Sequence, residues 1–300
     1  MSEKPRFAVE LSSHGLATLR NVVDAVKVMT DECRVDVSPD GWRIAAVDPA
    51  HVAMVLVTLD RRVFWKHQVS EFQMGLDLDK VKEALKHAQY ENVRLSLADD
   101  GRLVVESGKL TKKIRLVDTA GMGNVKVPNL EDKLFAVASL WIDEIRRGLS
   151  ASATVTDHTI LTVTKDRFTM YSPGDGDDVT LRLPDGAGGL TILFPTTAPA
   201  EKARSVYPLD YLTNVLKTCP DGTKVTLRVG VDLPIQMEWD LAAPGDKTPV
   251  GHVTFMVAPR MDGDEIPDPD EPEETPRPPS PVPDEPEPNE PEPDDDPDEE

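Results

Sequence analysis

Two hydrophobic rhythms, one near 3.6 residues and one of two, succeed each other along this chain, and the succession runs through residues 6–260 twice. Each half opens on a short apolar strand, Phe7-Ala8-Val9 and Phe135-Ala136-Val137. A helical stretch follows, then a pair of hairpin-like strands around a turn, a second helical stretch, and further strands. The second helices match most clearly. Leu78-Asp79 is followed seven residues later by Leu85-Lys86, and Leu209-Asp210 seven later by Leu216-Lys217. Alternating strands come after both, with Val93, Leu95 and Leu97 in one half and Val225, Leu227 and Val229 in the other. Turn signals recur as Pro39-Asp40-Gly41 and Lys165-Asp166.

A repeat of about 130 residues is too long for a solenoid unit. It predicts an α+β fold: two similar domains, each with two helices packed on one face of an antiparallel sheet. The expected boundaries are 1–117 for the first domain, 118–129 for a connector (DTAGMGNVKVPN) and 130–262 for the second domain. Residues 263–300 are expected to form a tail.

Charge sharpens that division. The chain of 300 residues carries a net charge of −21, but residues 261–300 hold 19 of the acids, a single base (Arg277) and 13 of the 27 prolines. Residues 1–260 hold 35 acids against 32 bases, so the body is close to neutral. Alternating proline and carboxylate blocks both helix and sheet ladders and offers little apolar surface, so 263–300 reads as a disordered polyanion.

The four helical stretches each show at least one base on the polar face. The first, roughly 14–28, buries Leu16, Leu19, Val23 and Val26 and exposes Arg20, Asp24 and Lys27. The second, 78–88, buries Leu78, Val81, Ala84 and Leu85 and exposes Lys80, Lys82, Lys86 and His87. The third, 140–151, buries Ile142, Ile145 and Leu149 and exposes Arg146 and Arg147, and the fourth, 209–218, exposes Lys217. Ordinary solvated helices carry such bases too. Interspersed acids (Asp24, Glu83, Asp143, Glu144) make any contact with DNA here loose and phosphate-directed.

Catalytic and metal signatures are missing from the sequence. Cys33 and Cys219, the only cysteines, have neither zinc spacing nor a disulfide framework, which suits a reducing interior. No phosphate loop of the Walker type or nucleophile–histidine motif occurs, and the six histidines are scattered. The acids of SPGDGDDV (Asp175, Asp177, Asp178) could serve a metal-dependent nuclease, but they lack the ligand alternation of a calcium loop and read as a polar turn. No enzyme, cofactor or metal is expected. With no apolar run of signal or membrane length, a soluble, cytoplasmic protein is expected.

Several segments, in order, resemble the proliferating cell nuclear antigen family of DNA sliding clamps, in its archaeal form. Residues 44–52 (IAAVDPAHV) resemble the family's early strand and loop, and 207–220 (YPLDYLTNVLKTCP) its fourth helix. Asp232-Leu233-Pro234, Val257-Ala258-Pro259-Arg260-Met261 and Val127-Pro128 resemble its late strand-loop, the end of its clamp body and the end of its connector. The similarity runs in register from Phe7 to Met261.

The resemblance implies a homotrimeric ring with helices lining the hole, placing Arg20, Lys27, Lys80, Lys82, Lys86, Arg146, Arg147 and Lys217 toward double-stranded DNA. It implies a pocket for client proteins bearing short hydrophobic-aromatic motifs, built from Val47, His51, Val125, Val127, Pro128, Pro234, Ala258, Pro259 and Arg260. DNA polymerase and a clamp loader would be among its partners. Subunits would join through strand pairing, with Lys113, Ile114 and Arg115 on one side and Val179 and Leu181 on the other. A regulatory or checkpoint-type clamp subunit, acting as an interaction hub, is the alternative within the same fold.

Overall fold

The computed structural model describes residues 6–88, 92–242 and 248–260. The described residues fall in one compact unit, and residues 261–300, with the whole acidic tail, lie outside them.

The first half runs β1 (Phe7–Leu11), α1 (Ser13–Lys27), β2 (Glu32–Ser38), β3 (Gly41–Val47), β4 (Ala53–Asp60) and β5 (Phe64–Val69). It continues with β6 (Phe72–Asp77), α2 (Leu78–Lys86), β7 (Val93–Leu97), β8 (Leu103–Ser107) and β9 (Leu110–Ile114). The second half repeats this order as β10 (Ala136–Trp141), α3 (Ile142–Ser152), β11 (His158–Val163), β12 (Arg167–Pro173), β13 (Asp178–Pro184) and β14 (Thr191–Leu193). Then come β15 (Ala203–Pro208), α4 (Leu209–Lys217), β16 (Lys224–Val229), β17 (Ile235–Leu241) and β18 (Gly251–Val257).

Local chemistry explains the helices. Ser12 caps α1 by accepting the Gly15 N–H at 3.1 Å, and Asp77 caps α2 by accepting the Lys80 N–H at 3.0 Å. Lys27, Lys86 and Lys217 stand in the last turns of α1, α2 and α4, where positive charge complements the helix dipole. The expected apolar stripes are all buried. Gly148 lets α3 lie close on the sheet: a Cβ there would sit 2.8 Å from Met170 Sδ.

Sequence periodicity misses three features of the sheets. Five strands, not two, separate the helices of each half. The third helix starts at Ile142 rather than residue 140, since Leu140 and Trp141 are held in the ladder opposite Val225 and Lys224. Nor does each half own one sheet. A nine-stranded sheet, β14-β10-β16-β17-β18-β4-β3-β2-β6, passes through both halves, joined where β18 pairs β4 from Val257↔Ala53 to Gly251↔Leu59. Two smaller sheets flank it, β5-β1-β7-β8-β9 and β13-β12-β11-β15. Strands β9 and β13 are therefore edges.

Among the described residues, no helix is long and apolar enough to cross a membrane.

Candidate nucleic-acid face, docking loop and ring edges

The helices pack in pairs, α1 with α2 and α3 with α4. Asn21, Asp24 and Lys27 of α1, Lys82 of α2, Arg146 of α3, and Lys217 and Asp221 at the end of α4 line one open groove of about 760 Å³. Polar faces of all four helices thus converge within one chain. The bases there differ in what they touch. Lys27 lies between Asp31 (2.8 Å) and Asp79 (2.7 Å), and hydrogen bonds to both carboxylates raise its pKa. Lys82 pairs with Asp24 at 2.7 Å, Lys80 with Asp77 at 2.5 Å and Arg147 with Glu144 at 2.7 Å. At least one partner of each pair is exposed to solvent, so the pairs are exchangeable for phosphate at little cost. Lys86 and Lys217 are exposed and form no ion pair among the described residues. Arg20 and Arg146 are half-buried, and their guanidinium groups donate to backbone carbonyls: Leu85 and Ala88 for Arg20, Leu216 and Cys219 for Arg146, which also pairs with the exposed Asp221 at 2.5 Å.

The second site is the loop after β3. Asp48 is buried, at 5 % exposure. Its carboxylate accepts the N–H groups of Ala50 (3.1 Å), Val52 (2.8 Å) and Ala53 (2.6 Å) and the Tyr211 hydroxyl (2.8 Å). Burial is the largest influence on this carboxyl and pushes its pKa up. The Ala53 N–H, the Tyr211 hydroxyl and the other two N–H groups together outweigh it and hold the pKa below the usual value. The turn so fixed carries His51 at φ 58°, a left-handed conformation that few side chains adopt. The end of the body closes over the loop: the Ala258 N–H donates to Val52 O at 2.8 Å and the Arg260 N–H to Val206 O at 2.8 Å. Tyr207 donates to Leu233 O at 2.8 Å, beside Pro234.

Val47, His51, Pro234, Ala258, Pro259 and Arg260 consequently lie at one end of β3-β4-β18-β17. Val125, Val127 and Pro128 have no hydrogen bond to that end among the described residues. The connector is instead held by Arg34, which donates to Met122 O (3.3 Å) and to Asn124 Oδ1. Residue-by-residue reading overlooked Tyr211, although it stands in the quoted 207–220 segment. Its hydroxyl ties α4 to a loop 163 residues away.

The third surface is the pair of sheet edges. Ile114 is buried at 2 % exposure, whereas Lys113 and Arg115 are exposed and Val179 and Leu181 are half-buried. Leu110 is left 48 % exposed at the start of β9. The strand stops at Ile114, and beyond it the Val117 N–H turns to Gly75 O at 2.9 Å. A Cβ on Gly75 would meet that same segment 2.2 Å from Val117 O. The Val117–Gly75 bond repeats the Arg260–Val206 bond of the second half, so β9 is the counterpart of β18 and, by element order, β13 that of β4.

Residues 8–118 match the family model for the N-terminal domain of proliferating cell nuclear antigen. Over 249 residues the chain is 32 % identical to the DNA polymerase sliding clamp of Methanosarcina barkeri, covering 82 % of this chain and 96 % of that one. The chain belongs to the sliding clamp family. A clamp from Natronomonas pharaonis is 34 % identical over 253 residues with the same coverage. Two solved structures share the fold at a TM-score of 0.74. One is the A. fulgidus proliferating cell nuclear antigen with the C-terminal region of FEN-1 bound, 24 % identical, covering 85 % of this chain and 99 % of that one. The other is that of Thermococcus kodakaraensis, 23 % identical, covering 85 % and 100 %.

Elsewhere on this clamp chain, Asp175 and Asp177 lie in the hairpin turn between β12 and β13, where Pro173 pairs with Asp178. Among the described residues no three His, Cys, Asp or Glu side chains gather as metal ligands do. Cys33 and Cys219 are both buried, and desolvation pushes each thiol up to about 12.

Proposed function

We propose that three copies of this chain close into a ring around duplex DNA and tether a polymerase and other replication and repair proteins, without catalysing a reaction themselves. The edge strands carry the reading. Inside the chain β4 pairs β18; their counterparts β13 and β9 are left unpaired at the two ends of the repeat. An unpaired edge is a template for another strand, and a head-to-tail contact of this kind generates a closed ring when the rotation permits. Carrying the β4–β18 register over to β13 and β9 sets Lys113 opposite Asp178, Lys112 opposite Val179 and Leu110 opposite Leu181. The first is a charge pair, and the last covers the exposed Leu110. The joined five- and four-stranded sheets would reproduce the nine-stranded sheet at the middle of the chain. The number three rests on the family resemblance.

In such a ring the convergent helix face turns to the hole, and Lys80, Lys82, Lys86, Arg147 and Lys217, with Lys27, form its basic lining, backed by the half-buried Arg20 and Arg146. The paired acids keep the contacts weak, so that topological linkage holds the DNA while screened phosphate contacts permit sliding. Val47, His51, Pro234, Ala258, Pro259 and Arg260, with Val125, Val127 and Pro128 of the connector, receive client motifs and the clamp loader. The functional domains are 1–117 and 130–262, with the connector at 118–129. The protein works at the nucleoid.

A double variant, Lys113→Cys with Asp178→Cys, tests the assembly, because directly opposed residues have Cβ atoms about 4.5–5.5 Å apart. Oxidation should give a covalent trimer in denaturing gels. Formation of no intermolecular disulfide would refute the proposed register.

A further inference from the structure

The two arginines of the helix face reach the same backbone positions in both halves. Arg20 on α1 reaches across to the end of α2, with Nε donating to Leu85 O at 3.1 Å and Nη2 to Leu85 O and to Ala88 O at 3.1 Å. Arg146 on α3 reaches across to the end of α4. Its Nε donates to Leu216 O at 3.1 Å, its Nη2 donates to Leu216 O at 3.0 Å and to Cys219 O, and its Nη1 is taken up by the Asp221 carboxylate at 2.5 Å. Leu85 and Ala88 stand in the first half where Leu216 and Cys219 stand in the second. The two arginines follow the same apolar stripe, Leu16 and Leu19 for Arg20, Ile142 and Ile145 for Arg146.

The last carbonyls of a helix have no intrahelical N–H partner and carry the negative end of the dipole. A planar guanidinium can bridge two of them at once; an ammonium, a point donor on a flexible stem, bridges them poorly. Lys86 and Lys217 sit in those same final turns and point to solvent. We infer that Arg20 and Arg146 are positioning residues, internal clasps that fix the C-terminal turns of α2 and α4 and thereby hold Lys86 and Lys217 in place, and that neither arginine is itself a phosphate contact. This deepens the reading of the helix face as the DNA-facing surface and narrows the basic residues assigned to it.

The test compares full-length Arg20→Lys and Arg146→Lys, which keep the charge and lose the fork, with a Lys86→Gln, Lys217→Gln double variant. Two quantities are read: amide hydrogen exchange at 85–88 and 216–219, and the slope of log affinity for duplex DNA against log salt. Each arginine variant should speed exchange about tenfold in the turn it clasps, and not in the other half's turn, with the salt slope unchanged. The lysine variant should leave exchange alone and reduce the slope by a little under one for each phosphate it no longer neutralises. Unchanged exchange in the arginine variants overturns the inference. So does an Arg20→Gln, Arg146→Gln variant that lowers the salt slope as the lysine variant does. If wild-type protein shows no salt-dependent affinity for DNA, the DNA reading fails, and the exchange measurement still decides whether the clasps exist.

Discussion

Removing the Asp48 carboxylate should loosen the docking loop and separate it from α4. The side chain accepts from three backbone N–H groups and from Tyr211. Ala50 is exposed, so water can replace its lost acceptor. Ala53 is buried and Val52 half-buried, and their N–H groups would be left without partners. A buried donor stranded in this way costs about 1–3 kcal/mol. Two such losses, with a little regained as His51 relaxes from its left-handed conformation, put Asp48→Ala at roughly 2–5 kcal/mol. At about 2–4 °C per kcal/mol for a body of this size, Tm should fall by roughly 4–20 °C. Scanning calorimetry at fixed protein concentration would measure it, because assembly makes Tm concentration-dependent. Asp48→Asn keeps an acceptor and should lose about half as much. The pH dependence has a definite sign. The folded pKa lies below the unfolded value near 3.9, so the stability that Asp48 supplies is fully present above about pH 4 and lost as pH falls through the folded pKa. The gap between wild type and Asp48→Asn should therefore narrow in acid. A Tm for Asp48→Ala within about 1 °C of wild type would refute this account of the loop.

Three further outcomes follow from the same geometry. Ile114→Pro removes a ladder donor from the β9 edge and should yield monomers by size exclusion; a trimer would put the interface elsewhere. Val127→Asp with Pro259→Asp places charge where an aromatic anchor would dock, so polymerase stimulation should vanish while the assembly persists, and undiminished stimulation would remove the pocket. Truncation after residue 261 deletes the whole polyanion of the tail; if the tail competes for DNA or basic clients, binding should strengthen at low salt and converge with wild type as salt rises. Identical binding at every salt concentration would leave the tail without that role.

Much of the fold is local and so is readable from spacing. The four helical stripes and the order of helix and strand within each half follow from residues within a few turns of one another. The β18–β4 seam joins segments about 200 residues apart, and no local period records which edge meets which. The face assignments fared similarly. Spacing places Arg20 and Arg146 on polar helix faces, yet it cannot say that their guanidinium groups reach 65 and 70 residues ahead to another helix's carbonyls. Asp48 and Tyr211 each lie in a segment that resembles the family, but their bond exists only once α4 is docked beside the loop. Val125, Val127 and Pro128 belong to a stretch with no regular ladder, where neither periodicity nor hydrogen bonding ties the side chains to a surface.

The central claim is that unpaired edges β9 and β13 close this chain into a three-membered ring. Multi-angle light scattering on the full-length protein, across a dilution series, tests it most directly. The predicted mass is three times the 33.0 kDa of one chain, held on dilution to the micromolar range. A chain that remains monomeric, or that forms dimers or open-ended polymers in place of a species of fixed mass, would contradict it.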